Sequence, residues 1–163
     1  MTIILVMDND FAIGKNGGLL YSLPLDMRHF RETTKGAAVV MGRKTYESFP
    51  KRPLPGRENI VLSRNSSQIE GATVFNDVGE MLSYVKTLDK KVFVIGGGEI
   101  YKLLLPYCGE AIITRVYDSF GGDVFFYDIE NDKNWELVEC SEMLETNGKN
   151  IRFMKFVKKT PEL

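Results

Sequence analysis

The chain predicts an α/β fold: a single domain on a mostly parallel, doubly wound sheet that finishes in an antiparallel C-terminal strand. Three observations carry that reading. Short β-branched apolar runs alternate with helix-forming stretches as far as residue 116, the pattern of strand–helix–strand crossovers. Two extended runs then flank Asn147-Gly148, a dipeptide suited to the positive φ of a tight turn. Finally, 163 residues, at about 100 to 200 per domain, leave room for one core spanning residues 1–163 and not two.

Residues 2–7 are apolar almost throughout, as a strand covered on both faces must be, and the run stops at Asp8. That is too short for a signal-peptide core or a membrane span. Ser22-Leu23-Pro24 opens a helix over 25–34, with Pro near its first turn. Residues 37–41 read as the next strand and 43–49 as the next helix, followed by the Pro-rich 50–56, too short to separate domains and read as an ordered surface loop. Strands at 59–63 and 73–75, a helix at 78–88, a strand at 91–95, a helix at 99–105 and a strand at 111–116 continue the alternation. Residues 135–140 and 151–157 form the arms of a hairpin-like return, an antiparallel edge to the sheet. There is no repeat and no linker.

Lys and Arg number 21 against 22 Asp and Glu, so no positive excess exists to neutralise a phosphate backbone or coat an anionic membrane, and neither is expected as a partner. Cys108 and Cys140 lack a paired spacing and His29 has no neighbouring ligand type at metal spacing, so no metal site and no disulfide scaffold is expected. A soluble protein of the reducing cytoplasm follows. His29 reads as a solvent-facing helix residue, and Met7, Met81 and Met143 read as packing.

In an open parallel sheet ligands bind beyond the carboxyl ends of the strands. Gly42-Arg43-Lys44-Thr45 follows one such end: exposed amides at a helix start and two cations suit an anion, though taken alone they read first as a solvated helix start with a Gly turn. Ser63-Arg64 follows a second strand end, and the pair together suggests a ligand with more than one phosphate. Gly96-Gly97-Gly98 follows a third and lets the backbone approach a ligand closely, yet it fits neither a dinucleotide fingerprint nor a Walker loop. Asp26 shares a helix face with Met27 and Phe30. It reads either as an acid favoured by the helix dipole or as a lone carboxyl in an apolar pocket.

Together these residues resemble one family. Ile13-Gly14, Leu23-Pro24-Leu25-Asp26, Met41-Gly42-Arg43-Lys44-Thr45-Tyr46-Glu47-Ser48, Arg52-Pro53-Leu54-Pro55-Gly56-Arg57-Glu58-Asn59 and Val94-Ile95-Gly96-Gly97-Gly98-Glu99-Ile100-Tyr101 are similar, in order and spacing, to bacterial dihydrofolate reductase. The resemblance implies an eight-stranded sheet and NADPH-dependent reduction of 7,8-dihydrofolate to tetrahydrofolate, in support of one-carbon and thymidylate metabolism. Hydride would pass to pterin C6 and a proton to N5 by way of water. Asp26 would hold the pterin 2-amino group and N3, supported by Thr114, with Tyr21 as the third catalytic position. Ile4, Leu5, Met27, Phe30, Phe49, Ile95 and Tyr101 would line the substrate pocket, with Arg57 on the α-carboxylate of the glutamate tail and Arg52 beside it. The cofactor would meet Val6, Ile13, Gly14, Gly17, Gly18 and Leu19 at its nicotinamide end. Gly42, Lys44, Thr45, Leu62, Gly96, Gly97, Gly98, Ile100 and Tyr101 would lie along it, with Arg43, Ser63, Arg64 and Glu99 near the adenosine 2′-phosphate. Residues 14–20 would form a lid. Antifolate inhibitors would be further ligands, and a monomer is expected.

Three positions depart from the family pattern. Leu20-Tyr21 stands where many bacterial members have Pro-Trp, so a phenol replaces an indole behind the lid. Glu99 stands where a cation or neutral residue is common and would repel the 2′-phosphate unless Arg64 compensates. Val124 follows Asp123 where a hydroxyl often helps hold the cofactor. Two other functions remain to be weighed: a reductase of the same fold acting on a pyrimidine of riboflavin synthesis, against which Asp26 and Arg57 argue, and a nucleotide-binding module without catalysis, which would have lost its acid.

Overall fold

The computed structural model describes residues 1–19, 21–65 and 67–159. Its central sheet begins with β1 (Thr2–Met7), which lies between β6 (Val92–Gly96) and β7 (Glu110–Val116), both parallel to it. Beyond β6 come β3 (Ala38–Gly42), β4 (Glu58–Leu62) and β5 (Thr73–Phe75), all parallel. On the other side β11 (Lys149–Lys158) runs antiparallel to β7. The outer edge of β11 is shared end to end by β9 (Trp135–Cys140) and β10 (Leu144–Thr146), so nine strand segments fill eight positions.

Each inner strand is buried on alternate sides by different cores. Ile3, Leu5 and Met7 join the larger cluster under α3 (Val78–Val85) and α4 (Gly98–Leu104), with Met81, Val85, Tyr101 and Leu104. Ile4 faces the opposite layer, with Val39, Met41, Phe93, Tyr46 of α2 (Arg43–Ser48) and Phe30 of α1 (Pro24–Thr34). Period-two alternation on a sheet covered by helices on both sides therefore explains the continuous apolar runs. Ile60 and Ile113, with no exposed surface, are positions where truncation to Ala would cost about 2 to 5 kcal/mol.

Most expected elements end within a residue or two of their predicted limits. Helix α3 stops at Val85 and not at 88, because Thr87 and Leu88 amides turn back to Tyr84 and Val85 carbonyls. The Asn147-Gly148 turn forms, at φ 50° and 75°. Its first arm is β10, however, with Thr146 opposite Lys149, and not the run at 135–140. That run, β9, continues along β11 after a break at Ser141, whose amide donates to Phe153 O at 2.9 Å while its hydroxyl accepts from Phe153 N at 2.9 Å. The sequence reading also missed a small second sheet, β2 (Ala12–Gly14) against β8 (Val124–Phe125). Met143 is 44% exposed and does not pack as expected, whereas Met7 and Met81 are fully buried.

The chain leaves β1 for β3 on one side and reaches β7 on the other only after β6 has returned beside β1. The carboxyl ends of β1 and β6 thus flank the topological switch point, where such sheets open a crevice.

Candidate active site

Helix α1 starts at Pro24, whose fixed φ suits a first turn, and carries Asp26 in that turn. A dipole-favoured surface acid would face solvent with no side-chain partner. Instead Thr114 of β7, itself buried, donates from Oγ1 to Asp26 Oδ1 at 2.5 Å. Burial pushes the Asp26 pKa above the ordinary carboxylate range, and the Thr114 hydrogen bond and His29 pull it partly back. Thr114 is the register partner of Val6 on β1. Tyr101 supports the same strand by donating to Ile4 O at 2.8 Å, its own pKa driven up first by burial and then by Asp26. Its ring is buried, so it underpins the site and does not open onto it.

Ile4, Phe30, Phe49 and Ile95 gather in one apolar layer, and the last three are only half-buried. Met27 stands 57% exposed beside them in sequence, an apolar side chain the fold leaves uncovered. Leu5 is a correction: its side chain belongs to the opposite core, a consequence of strand alternation, so only its backbone can serve a ligand on the Ile4 face. At the far end of α1, Arg57 donates from Nη1 to Thr34 Oγ1 at 3.2 Å and from Nε to Pro55 O at 3.0 Å, with its guanidinium carbon 5.9 Å from the Phe30 ring. Burial, then Arg31, lower its pKa. Arg52 donates to Glu47 O at 2.5 Å. Asp26 and Thr34 are eight residues apart on one helix, about 12 Å at 1.5 Å per residue, so acid and guanidinium stand at opposite ends of α1 with Phe30 between them.

The second half of the crevice lies over the ends of β6, β3 and β4. Gly96 adopts φ +118°, and a Cβ there would sit 3.2 Å from the Tyr101 ring, while one on Gly42 would sit 3.1 Å from Ile100 Cγ1. These glycines serve packing as well as approach. A Cβ on Gly97 would meet Thr45 Oγ1 at 3.6 Å, an ordinary contact. Arg43 lies 3.6 Å from Glu47. Arg64 Nη2 lies 3.4 Å from Glu99 Oε2, with the two side chains 87% and 90% exposed, so the unusual carboxylate is paired with the guanidinium expected to offset it. Asn76, absent from the sequence reading, donates from Nδ2 to Ser63 O and fixes that strand end. Leu62, Ile13 and Ile100 pack on the larger core, so their side chains support this edge from below.

Residues 14–18 form a turn tied to Asp123. Asn16 N donates to Asp123 Oδ2 at 3.0 Å, Asp123 N donates to Gly14 O at 2.9 Å, and Lys15 and Gly18 pair across an Asn16-Gly17 turn with φ 51° and 78°. Leu19 is 84% exposed, and Leu20 lies outside the described residues. Val124 pairs with Gly14 and packs toward Gly98, an apolar contact where a hydroxyl is common. Tyr21 sets its ring 5.3 Å from Phe120; its hydroxyl is buried without a hydrogen-bond partner among the described residues, and burial, with Asp118, Asp8 and Asp10, pushes its pKa up to about 12. It stays a neutral phenol near neutrality.

Two residues overturn expectations. Asp8, where the first apolar run stops, is a second buried acid with no exposed surface. Its carboxylate accepts from the amides of Asp10, Ala12 and Phe120 at 2.8, 3.0 and 3.2 Å, and is thereby committed to holding two loops. His29 does not face solvent: its ring stacks on Phe153 of β11, and burial lowers its pKa.

Comparison with known proteins follows this geometry. A family model described as dihydrofolate reductase matches residues 1–158. The chain is 35% identical over 162 residues to dihydrofolate reductase of Bacillus subtilis, covering 98% of this chain and 95% of that one. It is 37% identical over 150 residues to the Haemophilus influenzae enzyme of the same name, covering 91% and 92%. Among solved structures, dihydrofolate reductase from Enterococcus faecalis complexed with NADP(H) and RAB-propyl superposes with a TM-score of 0.86 at 34% identity, covering 98% of this chain and 96% of that one.

Proposed function

The chain belongs to the dihydrofolate reductase family, and from that premise we propose how its own residues carry the reaction. It is an NADPH-dependent oxidoreductase that reduces 7,8-dihydrofolate to tetrahydrofolate. The observation that carries the residue assignments is the Thr114–Asp26 hydrogen bond beside a half-buried apolar layer at the switch point.

Asp26 accepts from the pterin 2-amino group and N3–H, and Thr114 fixes the carboxylate so that its free lone pairs face the ring. Ile4, Phe30, Phe49 and Ile95 exclude water from the pterin and the benzoyl group, and Met27 is the exposed side chain that substrate covers. Arg57, preset by Pro55 O and Thr34 Oγ1, grips the α-carboxylate of the glutamate tail. A charged carboxylate against the pterin raises the proton affinity of N5, which takes its proton from water.

Bound NADPH supplies the hydride that reduces pterin C6. The residues fit that cofactor: Arg43, Lys44 and Arg64 stand at adjoining strand ends, and Gly97 leaves its backbone uncovered by a side chain. Arg43, Ser63 and Arg64 hold the 2′-phosphate, and residues 14–19, docked on Asp123, shield the nicotinamide side from solvent. Antifolates that mimic the pterin compete for Asp26. The protein acts as a cytoplasmic monomer, a single domain over residues 1–163; among the described residues no helix is long and apolar enough to cross a membrane.

Mixing purified protein with NADPH and dihydrofolate should consume NADPH absorbance, and Asp26→Asn should abolish most of that consumption at neutral pH. Reduction of a riboflavin-pathway pyrimidine with none of dihydrofolate would favour the same-fold alternative, and cofactor binding without turnover would favour a non-catalytic module.

A further inference from the structure

His29 is a titratable group that the mechanism leaves unused, and its placement is specific. It follows Asp26 by three residues and so shares a face of α1. Thr114 on β7 and Phe153 on β11 are direct register partners. Thr114 takes Asp26 at 2.5 Å, and Phe153 stacks on the imidazole with 4.1 Å between centroids and 24° between planes. Two helix residues one turn apart are thus docked on two strand residues directly opposite each other. A helix that slid along the sheet would lose both contacts at once. We propose that His29 is a positioning residue for the active-site acid: its ring seats α1 on β11, and its proton, when present, holds the neighbouring Asp26 carboxylate in the ionised form.

The charged surroundings are few. On α1 the imidazole faces Asp26 and Glu32, and Glu32 is engaged by Arg28 at 3.0 Å. On β7 and β11, alternation puts Glu110, Lys149 and Lys155 on the face of Thr114 and Phe153; Lys155 pairs with Glu110 at 3.8 Å and Lys149 with Asp118 at 2.6 Å. Asp26 is bonded to a neutral hydroxyl, and the charge that acts to lower its pKa is that of His29, so the imidazolium, where it forms, is its countercharge. Among the described residues His29 Nε2 is buried without a hydrogen-bond partner, so no acceptor at that nitrogen fixes the ring. Burial lowers the His29 pKa while Asp26 and Glu32 raise it, the directions such coupling requires. Where the two charged forms coexist, each must move the other's titration equally.

The bearing on turnover rests on Asp26 as the substrate-holding acid; the coupling itself does not. His29 is the single histidine of the chain, so the proton NMR titration of the imidazole in untagged protein reports one group. Asp26→Asn should lower the His29 midpoint by about half a pH unit to one unit. His29→Phe, which keeps the stack and removes the proton, should raise the Asp26 midpoint equally, read by carboxyl carbon-13 titration and by the pH–rate profile with dihydrofolate. Unmoved midpoints in both variants overturn the coupling. A moved His29 midpoint with undiminished turnover in Asp26→Asn supports the coupling and overturns the assignment of the acid instead. Should His29→Phe fail to fold, His29→Gln supplies the uncharged comparison, and a profile superposing on that of the parent reduces His29 to packing.

Discussion

Gly98 lies under Val124 so closely that a methyl group on its α-carbon would sit 2.5 Å from Val124 Cγ1. Val124 in turn pairs with Gly14, the last residue of β2. Gly98 is therefore needed for the fit between α4 and β8, whatever it also offers a ligand. Gly98→Ala should destabilise by about 1 to 3 kcal/mol through overpacking, and Val124→Ala in the same chain should restore most of the loss. Denaturant unfolding of the single and double variants checks this. Equal stability of Gly98→Ala and the parent would show that β8 yields freely.

Arg64 and Glu99 make a second pair with a measurable consequence. The ion pair is exposed and contributes little stability of its own. Its effect is on an incoming anion: removing Arg64 leaves Glu99 unopposed at the same edge. Arg64→Ala should therefore weaken NADPH by about 1.5 to 3 kcal/mol, roughly ten- to a hundredfold, and NADH far less. Fluorescence titration with both cofactors is the measurement. An unchanged ratio of affinities would remove Arg64 from the phosphate site.

Arg57 is held by Pro55 O and Thr34 Oγ1, and neither acceptor neutralises its charge. Arg57→Leu should weaken dihydrofolate by about 2 kcal/mol or more and scarcely alter a pterin lacking the glutamate tail. Parallel losses for both substrates would give Arg57 a purely structural part in tying the end of α1 to the loop before β4.

What could be read ahead of the structure was what local chemistry dictates. Residues 2–7 and 37–41 announce buried strands because both faces are covered, and Asn147-Gly148 announces its turn because few residues tolerate φ near 50° and 75°. Strands of three and two residues, Ala12–Gly14 and Val124–Phe125, carry too few side chains for any period to show. His29 was misread because its neighbours in sequence include the exposed Arg28–Glu32 pair, while the ring that covers it is 124 positions away at Phe153. Asp8 was missed because its partners are backbone amides, which no sequence displays. The resemblance located the crevice and named Arg64 as the group to offset Glu99, and the structure joins the two across 35 positions.

The Asp26–Thr114 contact separates function from packing through the sign of a stability change. Burial raises the pKa of Asp26 in the folded protein above its unfolded value, so folding favours the protonated carboxyl. Ionisation then costs stability: the cost is absent at pH below the unfolded carboxylate pKa, grows as pH rises toward the folded pKa, and is constant above it. Asp26→Asn removes that cost and keeps an oxygen able to accept from Thr114 Oγ1. The variant should melt no lower than the parent at neutral pH, with an advantage that shrinks on acidification and vanishes below the ordinary carboxylate range. Turnover of dihydrofolate should fall sharply at neutral pH and recover partly in acid, where substrate arrives already protonated. A dipole-favoured surface acid would behave oppositely, its loss lowering stability by about 0.3 to 1 kcal/mol at neutral pH and leaving turnover intact. Thermal unfolding and a pH–rate profile on one preparation decide between them, and a variant that melts lower yet turns over normally would leave the mechanism without its acid.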